Sequence, residues 1–374
     1  MSFNLIRNSR VFFTTNVDQT TGAVLATGHT ASTTREIQVL DGFSFSQNTT
    51  QETVTLNEAG ATPVRGQRSF NTSLDPADFS FTTYMRPQDG GINITAEESV
   101  LWNAMFAVDA IGGAAPAWTN GTTSATCVVT NSNAHQLQKF GLIITIDTTT
   151  FVIDNCVLNT ATIDFGLDAI ASIQWAGQGG VLRQIATPTV GAGTLTGSIT
   201  GNFLQKVTTA PYIANKLSVV TLDEGIGSGG TAYNVAITGG TLTISNNVTY
   251  LTPANLATVN KPITYFTSTR AISGSLNAYL RTGTGNTADL MSTMLANSST
   301  AVNPAFYMNI SIGGTGTTKV DFTMPAVVLS IPAVNAEQVV STTINFTAQG
   351  SASGAFDIGT ANELTVTYTT PNAA

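Results

Sequence analysis

The sequence predicts a mainly β protein: two tandem antiparallel β-sandwich or barrel domains, each with one short α-helix. Three observations carry this. First, hydrophobic residues alternate with polar ones in short stretches. Ile37, Val39, Phe43 and Phe45 all stand at odd positions, as one buried strand face requires. Second, only 10% of the 374 residues are charged, against roughly a quarter in an ordinary domain. Thr, Ser, Asn and Gly fill the gap. Thr suits a pleated surface, and Gly and Asn suit tight turns. Third, short segments recur in the same order in the two halves of the chain.

The recurrence sets the domain boundaries. Ile6-Arg7-Asn8 and Phe12-Phe13-Thr14 match Ile213-Ala214-Asn215 and Val219-Val220-Thr221. Asp41-Gly42-Phe43-Ser44-Phe45 matches Asn246-Asn247-Val248-Thr249-Tyr250. Tyr84-Met85-Arg86 matches Tyr279-Leu280-Arg281, and Ile173-Gln174-Trp175 matches Ile344-Asn345-Phe346. The separation shrinks along the chain, so the first copy holds extra residues. It shrinks most between Arg86 and Ile173, where Gly112 to Asn133 is rich in Gly, Ala, Thr and Asn. A surface insertion over about 107–136 is expected there. The domains are then 1–208 and 209–374, joined by a Gly- and Pro-containing linker from Thr187 to Ala210.

Within each copy strands come first, then a helix, then more strands. Asp41-Gly42 predicts a bend. Thr95-Ala96-Glu97-Glu98 reads as a capping box opening the first helix, whose apolar stripe is Leu101, Trp102, Met105 and Phe106. Leu142 to Ile146, Phe151 to Ile153, Thr162 to Phe165 and Ala171 to Trp175 read as closing strands. In the second copy Asn286 caps with Asp289 behind it, and Leu290, Met291, Met294 and Leu295 form the stripe. Tyr307 to Ile312, Val327 to Ile331 and Thr342 to Thr347 echo the closing strands, and Glu363 to Thr369 alternates once more.

Several functions are disfavoured by what these residues lack. Net charge is −8, and the 14 Lys and Arg are scattered, whereas a protein that grips nucleic acid needs clustered cations. Cys127 and Cys156 read as small buried hydrophobes. His29 and His135 read as exposed loop residues, neither with a metal-spaced neighbour. Gly225 to Gly230 fits a dinucleotide-binding fingerprint in letters alone; strand-like Thr231 to Ile237 follows instead of a helix, so a turn is expected. Asp164 with Asp168, and Asp223 with Glu224, are carboxylate pairs of the kind a glycosidase uses. Gly166 predicts a turn that separates the first pair. No enzyme activity, cofactor or metal is expected. No apolar run reaches the length of a membrane helix, and Met1 to Thr15 lacks the apolar core of a signal peptide.

The segment Asn4 to Phe13, the stretch Ile37 to Asn57 with Gly60 to Gly66 behind it, and Ile170 to Gly177 resemble the bacteriophage tail tube protein family. So do Ile263 to Arg281 and Pro325 to Gly350. The resemblance covers most of the chain but rests on loose motifs. It implies a structural virion protein, made in the host cytoplasm, whose stacked rings form the channel for DNA ejection. Each domain would add antiparallel strands to an inner barrel, with its helix outside. The partners implied are the chain itself, other tail proteins such as tip, terminator and possible sheath, and DNA passing without stable binding; no membrane is implied. With two domains per chain, a ring of six sectors needs three chains, a homotrimer with pseudo-six-fold symmetry and the insertion on alternate sectors. Loop residues Asn57, Glu58, Arg65 and Arg68 are expected to contact the next ring, and Asp147, Asp154 and Asp164 to face the lumen. The alternatives are a phage fibre or depolymerase, another β-rich surface protein, or an outer-membrane barrel.

Overall fold

The computed structural model describes residues 8–54, 68–106, 117–129, 137–257, 259–301, 304–316, 318–332, 334–335, 340–351 and 362–371. The chain is mainly β, with antiparallel sheets. The first half opens with β1 (Ser9–Thr14), β2 (Thr34–Ile37), β3 (Ser44–Ser46), the hairpin β4 (Thr49–Val54) and β5 (Arg68–Leu74), then β6 (Ala77–Tyr84), β7 (Pro87–Asp89) and β8 (Ile94–Ala96). Helix α1 (Ser99–Phe106) follows, then β9 (Trp118–Thr119), β10 (Ala125–Val128), β11 (Phe140–Ile146), β12 (Thr149–Asp164), β13 (Ser172–Gly179) and β14 (Val181–Ile185). A small sheet of β15 (Thr189–Val190), β16 (Thr194–Thr196) and β17 (Gly201–Asn202) leads to the second half. There β18 (Val219–Glu224), β19 (Ala232–Tyr233), β20 (Ile237–Ser245), the hairpin β21 (Val248–Leu251) and β22 (Thr264–Thr267), and β23 (Ala271–Tyr279) precede α2 (Thr287–Thr300). The chain ends with β24 (Phe306–Ile312), β25 (Lys319–Leu329), β26 (Val334–Asn335), β27 (Ser341–Gln349) and β28 (Thr365–Thr369).

The strand pairing of the first half recurs in the second. β1 pairs with β2 and β11, β11 with β12, β12 with β13 and β14, β13 with β6, and β6 with β3. In the same order, β18 pairs with β19 and β24, β24 with β25, β25 with β27 and β28, β27 with β23, and β23 with β20. The halves meet edge to edge: Thr160–Asp164 of β12 pair with β20, from Thr160 opposite Ser245 to Asp164 opposite Thr241. One sheet therefore runs β3, β6, β13, β12, β20, β23, β27, β25, and β26 continues β25 along β27.

Alternation decides what each strand buries. Phe79, Phe81, Ile173, Trp175, Leu242, Leu276, Ile344 and Phe346 all point into one apolar core. α1 lies at its centre. The Trp102 indole stands edge-on to Trp175 with ring centroids 5.0 Å apart, and its other neighbours include Phe106 and Phe322. Its N–H donates to the Tyr368 hydroxyl at 2.8 Å. Aromatic pairs of this kind add about 0.5–1.5 kcal/mol beyond their buried area. Because Phe322 and Tyr368 belong to the second half, α1 ties the two halves together. Among the described residues, no helix is long and apolar enough to cross a membrane.

Several expectations change. The predicted stripe of α1 is buried, but the helix opens at Ser99 and Thr95 lies in β8, so there is no capping box. Glu98 instead turns inward and accepts from the Arg86 amide. In α2, Asn286 makes no side-chain cap; Asp289 accepts from the Gly285 amide, Leu290 and Met294 are buried, and Leu295 is exposed. The described part of the 107–136 stretch is only partly on the surface: Thr119, Asn120, Thr122 and Thr123 are exposed, but its strands reach the core. β10 pairs with β9 and with β28, Ala125 and Cys127 are wholly buried, and Asn103 of α1 accepts from the Ala117 amide. These strands cover the helix that was expected outside the sheet. The stretch from Thr187 to Ala210 is no free tether either: Leu195, Ile199 and Phe203 pack with Phe12, Val24 and Ile143. Phe151 to Ile153 and Thr162 to Phe165 belong to one long strand, β12, apart from Phe165 just beyond its end.

His29 is buried. Its ring bonds the Thr34 hydroxyl at 2.7 Å and the Leu25 carbonyl at 2.8 Å, and burial lowers its pKa. His135 lies outside the described residues. Both cysteines are free and buried. Gly225, Gly227 and Gly229 all have positive φ in the turn between β18 and β19, a backbone only glycine adopts readily.

Candidate functional site: a polar sheet face with two open edges

The sheet face turned away from the core is almost free of charge. Alternation brings to it Ser80 and Thr82 of β6, Gln174 of β13, Thr162 of β12, Thr243 of β20, Ser275 of β23 and Asn345 of β27. These side chains bond across the strands. Ser44 meets Ser80 at 2.8 Å, Thr241 meets Ser275 at 3.1 Å, Thr343 donates to Asn277 at 2.9 Å and Gln178 donates to Asp78 at 2.9 Å. Among the described residues, the stretches of these strands that pair along this run carry no Lys or Arg, and Asp78 and Asp164 are their acids; the Lys319–Asp321 pair lies at the other end of β25, where it pairs with β24 and β28. Such a surface offers short neutral donors and acceptors and no cation to hold a phosphate.

At the ends of this sheet two strand edges lack partners among the described residues. β3 pairs only with β6, and beyond Val327 the run of β25 and β26 pairs only with β27. Unpaired edges are templates for joining another chain.

The acids expected to act together do not converge. Asp154 is 8% exposed; Arg183 binds it through two nitrogens, the shorter contact 2.6 Å, and the Val24 amide donates to it. Its charge is therefore spent inside the fold. Asp147 occupies the turn between β11 and β12 with φ of 53°. Asp164 ends β12 and accepts from the Gly166 amide at 3.1 Å. Asp147 precedes the 16-residue β12 and Asp164 ends it, with a bend at Asn155 (φ 52°) and two register shifts between, so they stand at opposite ends of the strand. Asp78, which sequence reasoning did not select, shares the polar face with Asp164. Its place in Asp78-Phe79-Ser80-Phe81 was the available signal. Of the loop residues, Arg68 is exposed at the start of β5, opposite Val54. Asn57, Glu58 and Arg65 lie outside the described residues.

No catalytic group emerges from the described residues. They hold no cluster of three or more His, Cys, Asp or Glu side chains that could grip a metal. A cleft of about 310 Å³ between β1, α1 and β9 has a single charged lining residue, Arg35, which donates to Ser99. Asp168 is exposed, beyond the turn that Asp164 closes.

A large antiparallel sheet whose polar face carries few charges, and whose two edges lack partners among the described residues, suits a subunit that joins others through its sheet. No protein-family model matches the chain. The tail tube protein pb6 of Escherichia phage T5 is 31% identical over 380 residues, covering 96% of this chain and 75% of that protein. The chain belongs to the phage tail tube protein family, as a structural component of the virion tail.

Proposed function

We propose that the chain is a two-domain tube subunit, with domains at about 1–208 and 209–374, and that three copies close a ring whose polar sheet face lines the DNA channel. The carrying observation is the sheet itself: four strands from each half, in the same pairing order, with hydroxyl- and amide-rich residues on one face. Three such sheets supply six equivalent sectors. The channel wall neither clamps phosphates nor presents apolar surface, so DNA slides during ejection. No bond is made or broken in this role, so the chain acts without catalysis. An outer-membrane barrel is disfavoured because lipid would demand an apolar outward face.

Lysines on the wall test this reading. Thr162→Lys, Ser275→Lys and Asn345→Lys together leave tubes of normal appearance but slow genome ejection severalfold at low salt, where screening is weakest. Unchanged ejection kinetics would count against a lumenal face. Asp164 and Asp78 are the acids assigned to that wall; Asp147, in the β11–β12 turn, lies away from it, and Asp154 in the interior.

The ring-to-ring contact is assigned to the loop after β4, with Asn57, Glu58, Arg65 and Arg68. β4 and the start of β5 are exposed on both faces, which supports a projecting hairpin. Deleting 57–67 leaves a folded chain that no longer polymerises; tubes of normal length from the deletion would refute the assignment.

A further inference from the structure

The chain makes one strand junction within itself and carries both surfaces of a second, unmade copy. At the junction, Thr160–Asp164 of β12 receive the edge of β20. β3 holds the place in the first half that β20 holds in the second, since each flanks the matching strand, β6 or β23. The acceptor also has a counterpart. Cys156 lies opposite Phe140, and Val327 lies opposite Phe306, at the ends of matching pairings. The described residues that correspond to 160, 161, 163 and 164 are then Ile331, Pro332, Val334 and Asn335.

We propose that β3 of one chain pairs antiparallel with the edge formed by Ile331, Pro332 and β26 of a second copy, in the register of the β12–β20 junction. Ser44 then lies opposite Asn335, Phe45 opposite Val334, and Asn48 opposite Ile331. This rests on the two-domain tube reading and adds to it the residues that join neighbouring chains.

Exposure supports it independently of pairing. Residues covered by the internal junction have uncovered counterparts. Leu242 of β20 is fully buried, whereas Phe45 of β3 is half-buried. Val157 of β12 is fully buried, whereas Val328 of β25 is half-buried. Tyr265 of the second hairpin packs on Leu137, Val157, Val248 and Tyr250 and is 8% exposed. Phe70 stands in the first hairpin at the same distance before Tyr84 as Tyr265 before Tyr279, and it is 54% exposed. The first hairpin therefore lies over Val328 of the neighbour, as the second lies over Val157. A donor surface on one side and its acceptor on the other make a head-to-tail contact, which closes into a ring when the rotation allows.

Cysteine pairs read the register. Asn48→Cys with Ile331→Cys, mildly oxidised in assembled tubes, gives a non-reducing gel ladder of linked chains that ends at three. Thr160→Cys with Ser245→Cys occupies the equivalent positions inside one chain and links without any ladder. Ser46→Cys with Ile331→Cys, displaced by two residues, links at least tenfold less. Phe70→Glu, on an exposed site that leaves folding intact, cuts polymer yield at least tenfold, and Val328→Lys beside it restores polymer. Well-formed tubes without linkage of 48 to 331, or with preferred linkage of 46 to 331, overturn the seam and leave the tube reading standing. Normal polymerisation of Phe70→Glu also overturns it. Failure of the unsubstituted chain to form tubes overturns both.

Discussion

Replacing Arg86 with Ala will cost about 3–5 kcal/mol of folding stability, the loss typical when one partner of a buried ion pair is removed. Arg86 is 1% exposed. One guanidinium nitrogen donates to Glu97 at 3.1 Å, Gln38 at 2.6 Å and the Val207 carbonyl at 2.9 Å, and the other donates to the Ala210 carbonyl at 2.9 Å. The Tyr212 ring lies beneath it, 4.7 Å from guanidinium carbon to ring centre. This one side chain thus joins β6, the approach to α1 and the segment leading into the second half. Without it, the Glu97 carboxylate and two carbonyls lose a donor in a place water reaches poorly. The change is read as a lower urea midpoint at unchanged slope. A double change, Arg86→Met with Glu97→Leu, should recover part of the loss, since apolar packing can replace a buried pair. A loss under 1 kcal/mol for Arg86→Ala would show the cluster to be dispensable.

Glu98→Gln will act in the opposite direction, and only at higher pH. Burial pushes the Glu98 carboxyl up from 4.5 to about 7, outweighing the Tyr368 hydroxyl and the Arg86 amide, which favour its charged form. Below pH 4.5 the group is protonated in folded and unfolded chains alike, so its ionisation costs nothing. As pH rises toward 7 the unfolded chain ionises first, and folding stability falls. Above 7 the folded state carries the full cost, on the order of 3 kcal/mol at 1.36 kcal/mol per pH unit. The neutral Gln avoids it. Glu98→Gln therefore raises stability by up to that amount at pH 8 and changes little at pH 4.5. An equal effect at both pH values would contradict the assignment to ionisation.

The sequence made the strands legible where one face is buried. Ser341–Gln349 alternates without a break, and Leu101, Trp102, Met105 and Phe106 declare a helix. Tyr84 and Tyr279 end matching strands, so that correspondence could be read directly. Others slipped. The match of Asp41–Phe45 to Asn246–Tyr250 aligned two different bends: Gly42 turns the chain before β3, whereas Asn247, with φ of 50°, turns it after β20. Similar turn residues cannot reveal on which side of a strand they fall. The segment with Leu195, Ile199 and Phe203 looked like a linker because glycines separate them, and only distant partners such as Phe12 bury them. His29 resembled a loop residue for the same reason: Thr14 and Thr34 enclose it from other strands. The polar face was visible as Ser/Thr alternation, but its continuity was not, because the β12–β20 pairing joins residues about eighty apart and local periodicity carries no record of it.

In the proposed tube each chain fills two sectors of one ring. Electron microscopy of purified tubes, averaged in cross-section at a resolution that separates strands, measures this directly. The expected cross-section shows three chains per ring, three-fold symmetry, approximate six-fold repetition, and an inner wall built from both halves of every chain. Six chains per ring, with only one half of each lining the channel, would contradict it.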